Sequence, residues 1–472
     1  MKCRGSLHLS VCLALLLGCH GTERDADPAI APNIIFLLTD DQRWDMLGAA
    51  GNETLQTPNL DSLAERGVLF ENAYATTSIC SVSRASILSG QYGRRHQIWG
   101  LLQAFSAEAF SQTYPMLLKA AGYYTGYIGK YGVGSTELPA RKFDYWGGFE
   151  RQGSYFQRDE PGARVHLTAK IGRQALEFLR SRDERKPFLL SIGFKAPHVD
   201  DRAPPVPEKM FASDPRYADE YEDVVWDRPA AAAERYFDHF PPAFTRRNEA
   251  RIRWRQRFST PERYDASLEG YYRLVHGVDV VVGELLHELE RQGIADDTVI
   301  LFSSDNGFYL GEYGFAGKWY GSEPSVRVPL VLFDPRDGGP RGMRVSEIAL
   351  NIDIAPTILS IAGVARPAAM QGEDLTRLVS GEAESWRTDF FYENLWPPTA
   401  RPHIPSTEGV IGERYKYMRY FSLRKPGEII FEEMYDLNHD PDELSNLIDD
   451  RDSQETRTRL AKAVQAFSGE LE

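Results

Sequence analysis

Four residues with hard oxygen donors stand out. Asp40-Asp41 and Asp305-Asn306 offer carboxylate and amide oxygens with no thiolate or imidazole beside them, a set suited to Ca²⁺ or Mg²⁺ rather than zinc. A lone pair of adjacent acids usually caps a helix or sits on a surface. Here two acidic sites each follow an apolar run of strand length, Asn33 to Thr39 (NIIFLLT) and Thr298 to Ser303, which is stronger evidence. The third feature is Cys80, in Thr76-Thr77-Ser78-Ile79-Cys80-Ser81-Val82-Ser83-Arg84, just before a helix predicted from about Ser81 to Leu88. Free N–H groups at a helix start favour an anion and Arg84 adds a full charge one turn on, so a sulfate or phosphate can be held there. The same physics also allows a buried cysteine beside a structural arginine.

These residues need a frame that brings position 40 to position 305. The run at 33–39 has the continuous apolar character of a strand buried on both faces of a parallel sheet. Helix-like Leu60 to Arg66, strand-like Val68 to Tyr74, the Ser81 to Leu88 helix, a helix near Tyr114 to Ala121 and a strand at Tyr123 to Ile128 follow. Helix Leu167 to Arg180, strand Phe188 to Gly193, amphipathic helix Leu268 to Gln292 and strand Thr298 to Ser303 continue the alternation. Ligands of open parallel sheets sit beyond the carboxyl ends of strands, so the two acidic sites are expected to meet there. Between Asp200 and Glu262 the pattern gives way to a Pro-, Arg- and aromatic-rich stretch, read as loops around a pocket or as a solvated insertion. After helix Ile354 to Ala362, short strands at Asp389 to Tyr392, Gly409 to Gly412, Tyr415 to Tyr420 and Met434 to Asp436, then a helix over Gln454 to Phe467, predict a small antiparallel sheet with one helix.

With these elements in view, the Cys80 segment resembles the signature of the type I sulfatases, in which the cysteine of C-x-P-x-R becomes formylglycine ahead of a short helix ending in T-G or S-G, here Ser89-Gly90. Other motifs agree in order: Asp40-Asp41, Gly129-Lys130, Ala196-Pro197-His198, Ser304-Asp305-Asn306-Gly307, and Gly317-Lys318-Trp319 leading to Arg327-Val328-Pro329. Met434-Tyr435-Asp436-Leu437, Asp440-Pro441 and Asn446-Leu447 look like the family's C-terminal strand and tail, so the likeness runs from about Pro32 to Leu447.

The resemblance implies an alkaline phosphatase-like α/β fold: a large, mostly parallel sheet sandwiched by helices over 32–384, with a small C-terminal α+β subdomain over 385–472. It makes Asp40, Asp41, Asp305 and Asn306 ligands of one Ca²⁺, touched also by Cys80 as formylglycine (3-oxoalanine). One hydroxyl of the hydrated aldehyde would attack sulfur and expel the alcohol, and the other would collapse the covalent sulfate, a step beyond plain Cys or Ser. Arg84 would stabilise the hydrate. Lys130, His198 and Lys318 would bind the sulfate oxygens, with His198 or Lys318 giving the proton to the leaving alkoxide. The implied partners are a sulfated saccharide and a formylglycine-generating or sulfatase-maturing enzyme.

Two positions depart from the family pattern: Val82 replaces the usual Pro or Ala, and Gly132 stands where many members carry a His that donates near the aldehyde. Rival readings are a phosphate mono- or diester hydrolase of the same superfamily and an inactive glycan-binding descendant. For sugar contacts the sequence offers the aromatic and Arg residues between Tyr217 and Arg263, together with Asn394, Trp396, Arg401 and His403.

The start of the chain reads as a leader. Lys2 and Arg4 precede the apolar run Leu7 to Leu17, too short to span a bilayer, and Leu16-Leu17-Gly18-Cys19 looks like a bacterial lipobox. The expectation is a signal over 1–18, lipid on Cys19, a tether over 19–31 and an exported protein, periplasmic or anchored to the outer membrane by lipid alone. Cys3 and Cys12 then leave with the signal, and Cys80 remains as the one thiol of the folded body. The formal net charge of −14, more negative still without Lys2 and Arg4, excludes a general affinity for nucleic acid.

Overall fold

The computed structural model describes residues 1, 31–134, 138–158, 162–237, 240–241, 244, 247–395, 404–425 and 427–471. The chain divides into the compact units Met1–Ala31 and Pro32–Glu472. The leader, Cys19, Trp396, Arg401 and His403 lie outside the described residues.

An eight-stranded sheet organises the second unit. Its strands run in the order Met343–Val345, Val68–Phe70, Leu330–Phe333, Thr298–Ser304, Asn33–Asp40, Phe188–Pro197, Tyr124–Lys130, Tyr145–Phe149. The five strands from Thr298–Ser304 to Tyr145–Phe149 are mutually parallel. Leu330–Phe333 runs antiparallel to both neighbours, which makes the sheet mixed.

Strand Asn33–Asp40 is buried from Ile34 onward because both of its faces are covered. Ile35 and Leu37 join Leu190, Ile192, Ile300 and Phe302 in a core completed by helices Leu167–Ser181 and Pro261–Gln292. On the other face Phe36 meets Tyr114 edge-on at 6.3 Å, and the Tyr114 hydroxyl bonds Ser191 Oγ at 2.8 Å. Helices Cys80–Ser89, Tyr114–Ala120 and Ile354–Ile361 pack together there.

Helix Pro261–Gln292 starts seven residues before the position at which its apolar periodicity becomes legible. The Thr260 side chain accepts from Arg263 N and Pro261 occupies the first turn, so capping rather than hydrophobicity sets its start. The strand expected from Val68 to Tyr74 is two strands, Val68–Phe70 and Ala73–Tyr74, in different sheets. The stretch from Asp200 to Glu262 contains a further helix, Glu249–Arg257, capped by Asn248. Its inward positions carry Arg251, Arg253 and Arg257 in place of apolar residues, which is why no hydrophobic period marks it.

Strands Asp389–Asn394, Thr407–Gly412, Tyr415–Phe421 and Ile429–Asp436 form the small antiparallel sheet, followed by helix Gln454–Leu471. Its Phe391, Val410 and Tyr417 share one apolar cluster with Tyr74, Ile79 and Val82. The C-terminal sheet is thereby fused to the segment that carries Cys80.

Candidate active site

Four neighbouring parallel strands deliver four functional groups to one edge of the sheet. Asp305 follows Thr298–Ser304, Asp40 ends Asn33–Asp40, His198 follows Phe188–Pro197, and Lys130 ends Tyr124–Lys130. Register fixes their level, since Thr39 pairs with Ser304 and Asp40 with Pro197. Asp41 then turns out of the strand at φ 68°, a left-handed conformation that Asp tolerates better than most residues. Tyr271 holds the turn by donating its hydroxyl to the Asp41 carbonyl at 2.6 Å. Asn306 Nδ2 donates to Asp41 Oδ1 at 2.6 Å, and the Asp41 amide donates to Asp305 Oδ1 at 3.3 Å.

The cations interleave with these acids. Lys130 Nζ pairs with Asp40 Oδ2; Lys318 Nζ pairs with Asp41 Oδ1 and lies 3.6 Å from Asp40 Oδ1. Arg84 donates from Nε to Asp305 Oδ2 at 2.7 Å and from Nη1 to the Lys130 carbonyl at 2.6 Å. Three carboxylates thus face three permanent cations in a buried cluster, where an unpaired charge would be costly. Burial pushes the Asp40 carboxyl up, but Lys130, His198, Lys318 and Arg84 override it and hold it well below the usual range. Burial and the neighbouring Asp40 charge push Asp305 up to about 6 against the pull of Arg84. Burial alone would lower Lys318; Asp41, Cys80 and Asp40 raise it instead.

His198 Nε2 lies 3.7 Å from Asp41 Oδ2, and Nδ1 lies 2.6 Å from the Val199 carbonyl. Since a carbonyl only accepts, the proton is assigned to Nδ1 and Nε2 faces the carboxylates. Burial lowers this imidazole despite the nearby Asp40 and Asp41.

Cys80 is the first residue of helix Cys80–Ser89, all ten residues of which are buried. Gln152 Nε2 donates to Cys80 Sγ at 3.9 Å. Val82, two positions along the helix, points into the apolar cluster shared with the C-terminal sheet. At Gly132 a Cβ would lie 2.5 Å from Arg84 Cδ, and φ is +78°. The Arg84 side chain therefore fills the space a histidine there would need. Gln152 and Gly132 line the same pocket as Lys130, of about 460 Å³, with Leu101 and Leu102 at its rim.

The residues fit a hard cation. Asp40 Oδ1 and Asn306 Oδ1 are buried acceptors without a hydrogen-bond partner among the described residues, and both belong to the expected ligand set. Oxygens of Asp40 and Asp41 and a nitrogen of His198 lie within 4.8 Å of one another. Carboxylate and amide oxygens of this kind suit Ca²⁺.

Asp40, Asp41, Arg84, Lys130, His198, Asp305, Asn306 and Lys318 stand together through these ion pairs and hydrogen bonds, and Cys80 opens the helix that carries Arg84. Asn394 is not at the pocket: it is fully buried and donates to the Trp319 carbonyl at 2.8 Å. Gln152 was missed because nothing in a loop residue 72 positions from Cys80 signals the contact. Arg253 and Arg257 were covered only by the broad range Tyr217 to Arg263; a regular helix offset of four between two arginines was the available signal.

The sulfatase family profile matches residues 32–364. The chain belongs to the sulfatase family. It is a sulfuric ester hydrolase of the alkaline phosphatase superfamily. A second profile, N-sulphoglucosamine sulphohydrolase C-terminal, matches residues 311–470 of this sulfatase. The sulfatase is 29% identical to an N-acetylglucosamine-6-O-sulfatase of Bacteroides thetaiotaomicron, over 88% of this chain and 82% of that one. A solved structure of a protein in complex with its substrate D-glucosamine-2-N,6-O-disulfate is 28% identical, with a TM-score of 0.74, covering 93% of this sulfatase and 98% of that chain. A phosphonate monoester hydrolase of Agrobacterium radiobacter shares the fold at 22% identity and TM-score 0.74, covering 93% and 96%.

Proposed function

We propose that this sulfatase removes a sulfate ester from a sulfated saccharide, using Ca²⁺ held by Asp40, Asp41, Asp305 and Asn306 and a formylglycine made from Cys80. The observation that carries the reading is the arrival of Lys130, His198 and Lys318 around those acids, with Cys80 at the adjoining helix start. The likeness to glucosamine sulfatases over nearly the whole chain supports a sulfated amino sugar as substrate. With the lipobox-like leader, it also supports an exported enzyme acting on glycans outside the cytoplasm. No described helix is long and apolar enough to cross a membrane, and the proposed attachment is lipid on Cys19.

When bound, the calcium ion supplies positive charge to a sulfate oxygen, and the aldehyde at residue 80 supplies, as its hydrate, an oxygen nucleophile that a thiol cannot replace. The chain's own residues do the rest. Arg84, locked on Asp305 and the Lys130 carbonyl, keeps a fixed cation next to residue 80. Asp40 and Asp41, which pair with Lys130 and Lys318 here, would hold the cation, and the two ammonium groups would then be available to the sulfate oxygens. His198 presents Nε2 to the leaving oxygen. Its buried position disfavours the imidazolium in the free enzyme, and the charge of an arriving sulfate offsets that, so Nε2 carries the proton to the alkoxide. Gln152 takes the donor role open at Gly132.

Sulfate release from N-acetylglucosamine 6-sulfate tests the reading. Calcium-loaded, matured protein should release it, and chelation should abolish release and lower the melting temperature. Release of phosphate or phosphonate at a higher kcat/KM than sulfate would transfer the reading to the phosphate-ester side of the superfamily.

A further inference from the structure

Helix Glu249–Arg257 buries arginines on the side where an amphipathic helix carries leucines. Arg253 and Arg257, four residues apart, are 7% and 1% exposed. Both reach one carboxylate oxygen: Arg253 Nη1 lies 3.3 Å and Arg257 Nη2 3.4 Å from Asp201 Oδ1. Arg253 also donates from Nε to Glu249 Oε1 at 2.9 Å. Arg257 keeps Nε and Nη1 without a hydrogen-bond partner among the described residues. A buried guanidinium with two unmade bonds is destabilising, and such a group is retained where it receives an anion.

The pair stands beside the reaction centre. The Arg253 guanidinium lies 5.1 Å from the ring of Trp319, next to Lys318, and that of Arg257 lies 5.9 Å from the ring of Phe308, two residues past Asn306. Asp201 is three residues past His198 and lines the pocket that holds Lys130. Burial and Arg253 push Arg257 down to about 9, a strain that a further negative charge relieves.

We propose that Arg253 and Arg257 form a second oxyanion subsite, which receives a second sulfate or a carboxylate of the same saccharide while its ester sulfate occupies Lys130, His198 and Lys318. Asp201 is the internal counter-ion that holds the two guanidinium groups in place in the free protein. The substrate class is then a saccharide with two anionic groups, and the inference rests on the saccharide reading above.

The test is calorimetric binding to calcium-loaded Cys80→Ala protein, which cannot turn over. Three ligands are compared: N-acetylglucosamine 6-sulfate, glucosamine 2-N,6-O-disulfate, and a disaccharide joining 6-sulfated N-acetylglucosamine to a uronic acid. At least one two-anion ligand should bind roughly tenfold tighter or better than the monosulfate. Tighter disulfate alone identifies sulfate as the second group, and tighter uronate alone identifies carboxylate. Adding Arg257→Gln should collapse the difference, and Arg257→Lys should restore part of it. Equal affinity for all three ligands in Cys80→Ala protein overturns the subsite without relying on any arginine variant. Binding of none of them, in protein that still cleaves an aryl sulfate once Cys80 is restored, overturns the saccharide reading and the subsite with it.

Discussion

Arg84 and Asp305 meet at 2.7 Å with neither side chain more than 1% exposed, and this pair ties the helix of Cys80 to the acidic end of the strand carrying Asp305. A buried pair of this kind is worth little against an apolar replacement, but breaking one side of it leaves an uncompensated charge. Its value here is positional, because the same guanidinium also holds the Lys130 carbonyl. Arg84→Ala is expected to cost about 3–5 kcal/mol in a denaturant titration. Sulfate release should fall with it. Wild-type stability in this variant would show that the pair holds nothing together.

Gly132 is a fixed point of the site. Its φ of +78° and the 2.5 Å approach of Arg84 Cδ leave no room for a side chain. Gly132→Ala should destabilise the fold by about 1–3 kcal/mol. Gly132→His, which restores the residue common in the family, should lower kcat rather than raise it. A gain in kcat would mean that Arg84 moves aside easily.

Gln152 is expected to assist residue 80. Gln152→Leu keeps the bulk and removes the donor, so kcat should fall roughly tenfold, as for the loss of one hydrogen bond to a charged group. Melting temperature should stay near wild type, because Gln152 is only half-buried in a loop at the pocket. An unchanged kcat would leave the open donor position at Gly132 unfilled.

A separate group gives stability its own pH dependence. Glu433 is buried beside Tyr420 and Tyr435, and the Tyr435 hydroxyl donates to it at 2.9 Å. Burial raises this carboxyl from 4.5 to about 7 against those hydrogen bonds. The folded protein therefore holds a proton that the unfolded chain has lost. That contribution to stability is complete below about 4.5 and disappears as pH rises through about 7. The slope from this group approaches 1.4 kcal/mol per pH unit within the window. Glu433→Gln keeps an acceptor for the tyrosines and removes the charge, so it should flatten the slope and be more stable than wild type at pH 8. Parallel stability curves for the two proteins would show that Glu433 titrates normally.

The parts of this molecule legible in its sequence are those where one physical signal dominates. Asn33–Asp40 and Thr298–Ser304 are buried on both faces and lead into Asp40-Asp41 and Asp305-Asn306, so strand, level and ligand chemistry could be read together. Lys130, His198 and Lys318 carry no such signal; they were placed by the order of shared motifs, since an isolated Gly-Lys has no meaning of its own. Leu330–Phe333 passed unnoticed because a four-residue apolar run does not reveal that it joins the sheet antiparallel. Helix Glu249–Arg257 was missed for the opposite reason, its buried face being guanidinium rather than hydrocarbon. Gln152 shows the limit most clearly. Its contact with Cys80 is made by tertiary folding of a pocket loop, and no local pattern encodes it.

The central claim is that residue 80 works as an aldehyde. Peptide mass spectrometry of Cys80 in exported, active protein tests it directly, since oxidation of the thiol to formylglycine lowers the peptide mass by a fixed amount. Conversion whose extent tracks the rate of sulfate release, with Cys80→Ala inactive, is the predicted result. Full sulfatase activity in protein whose Cys80 is an unmodified thiol would contradict the account.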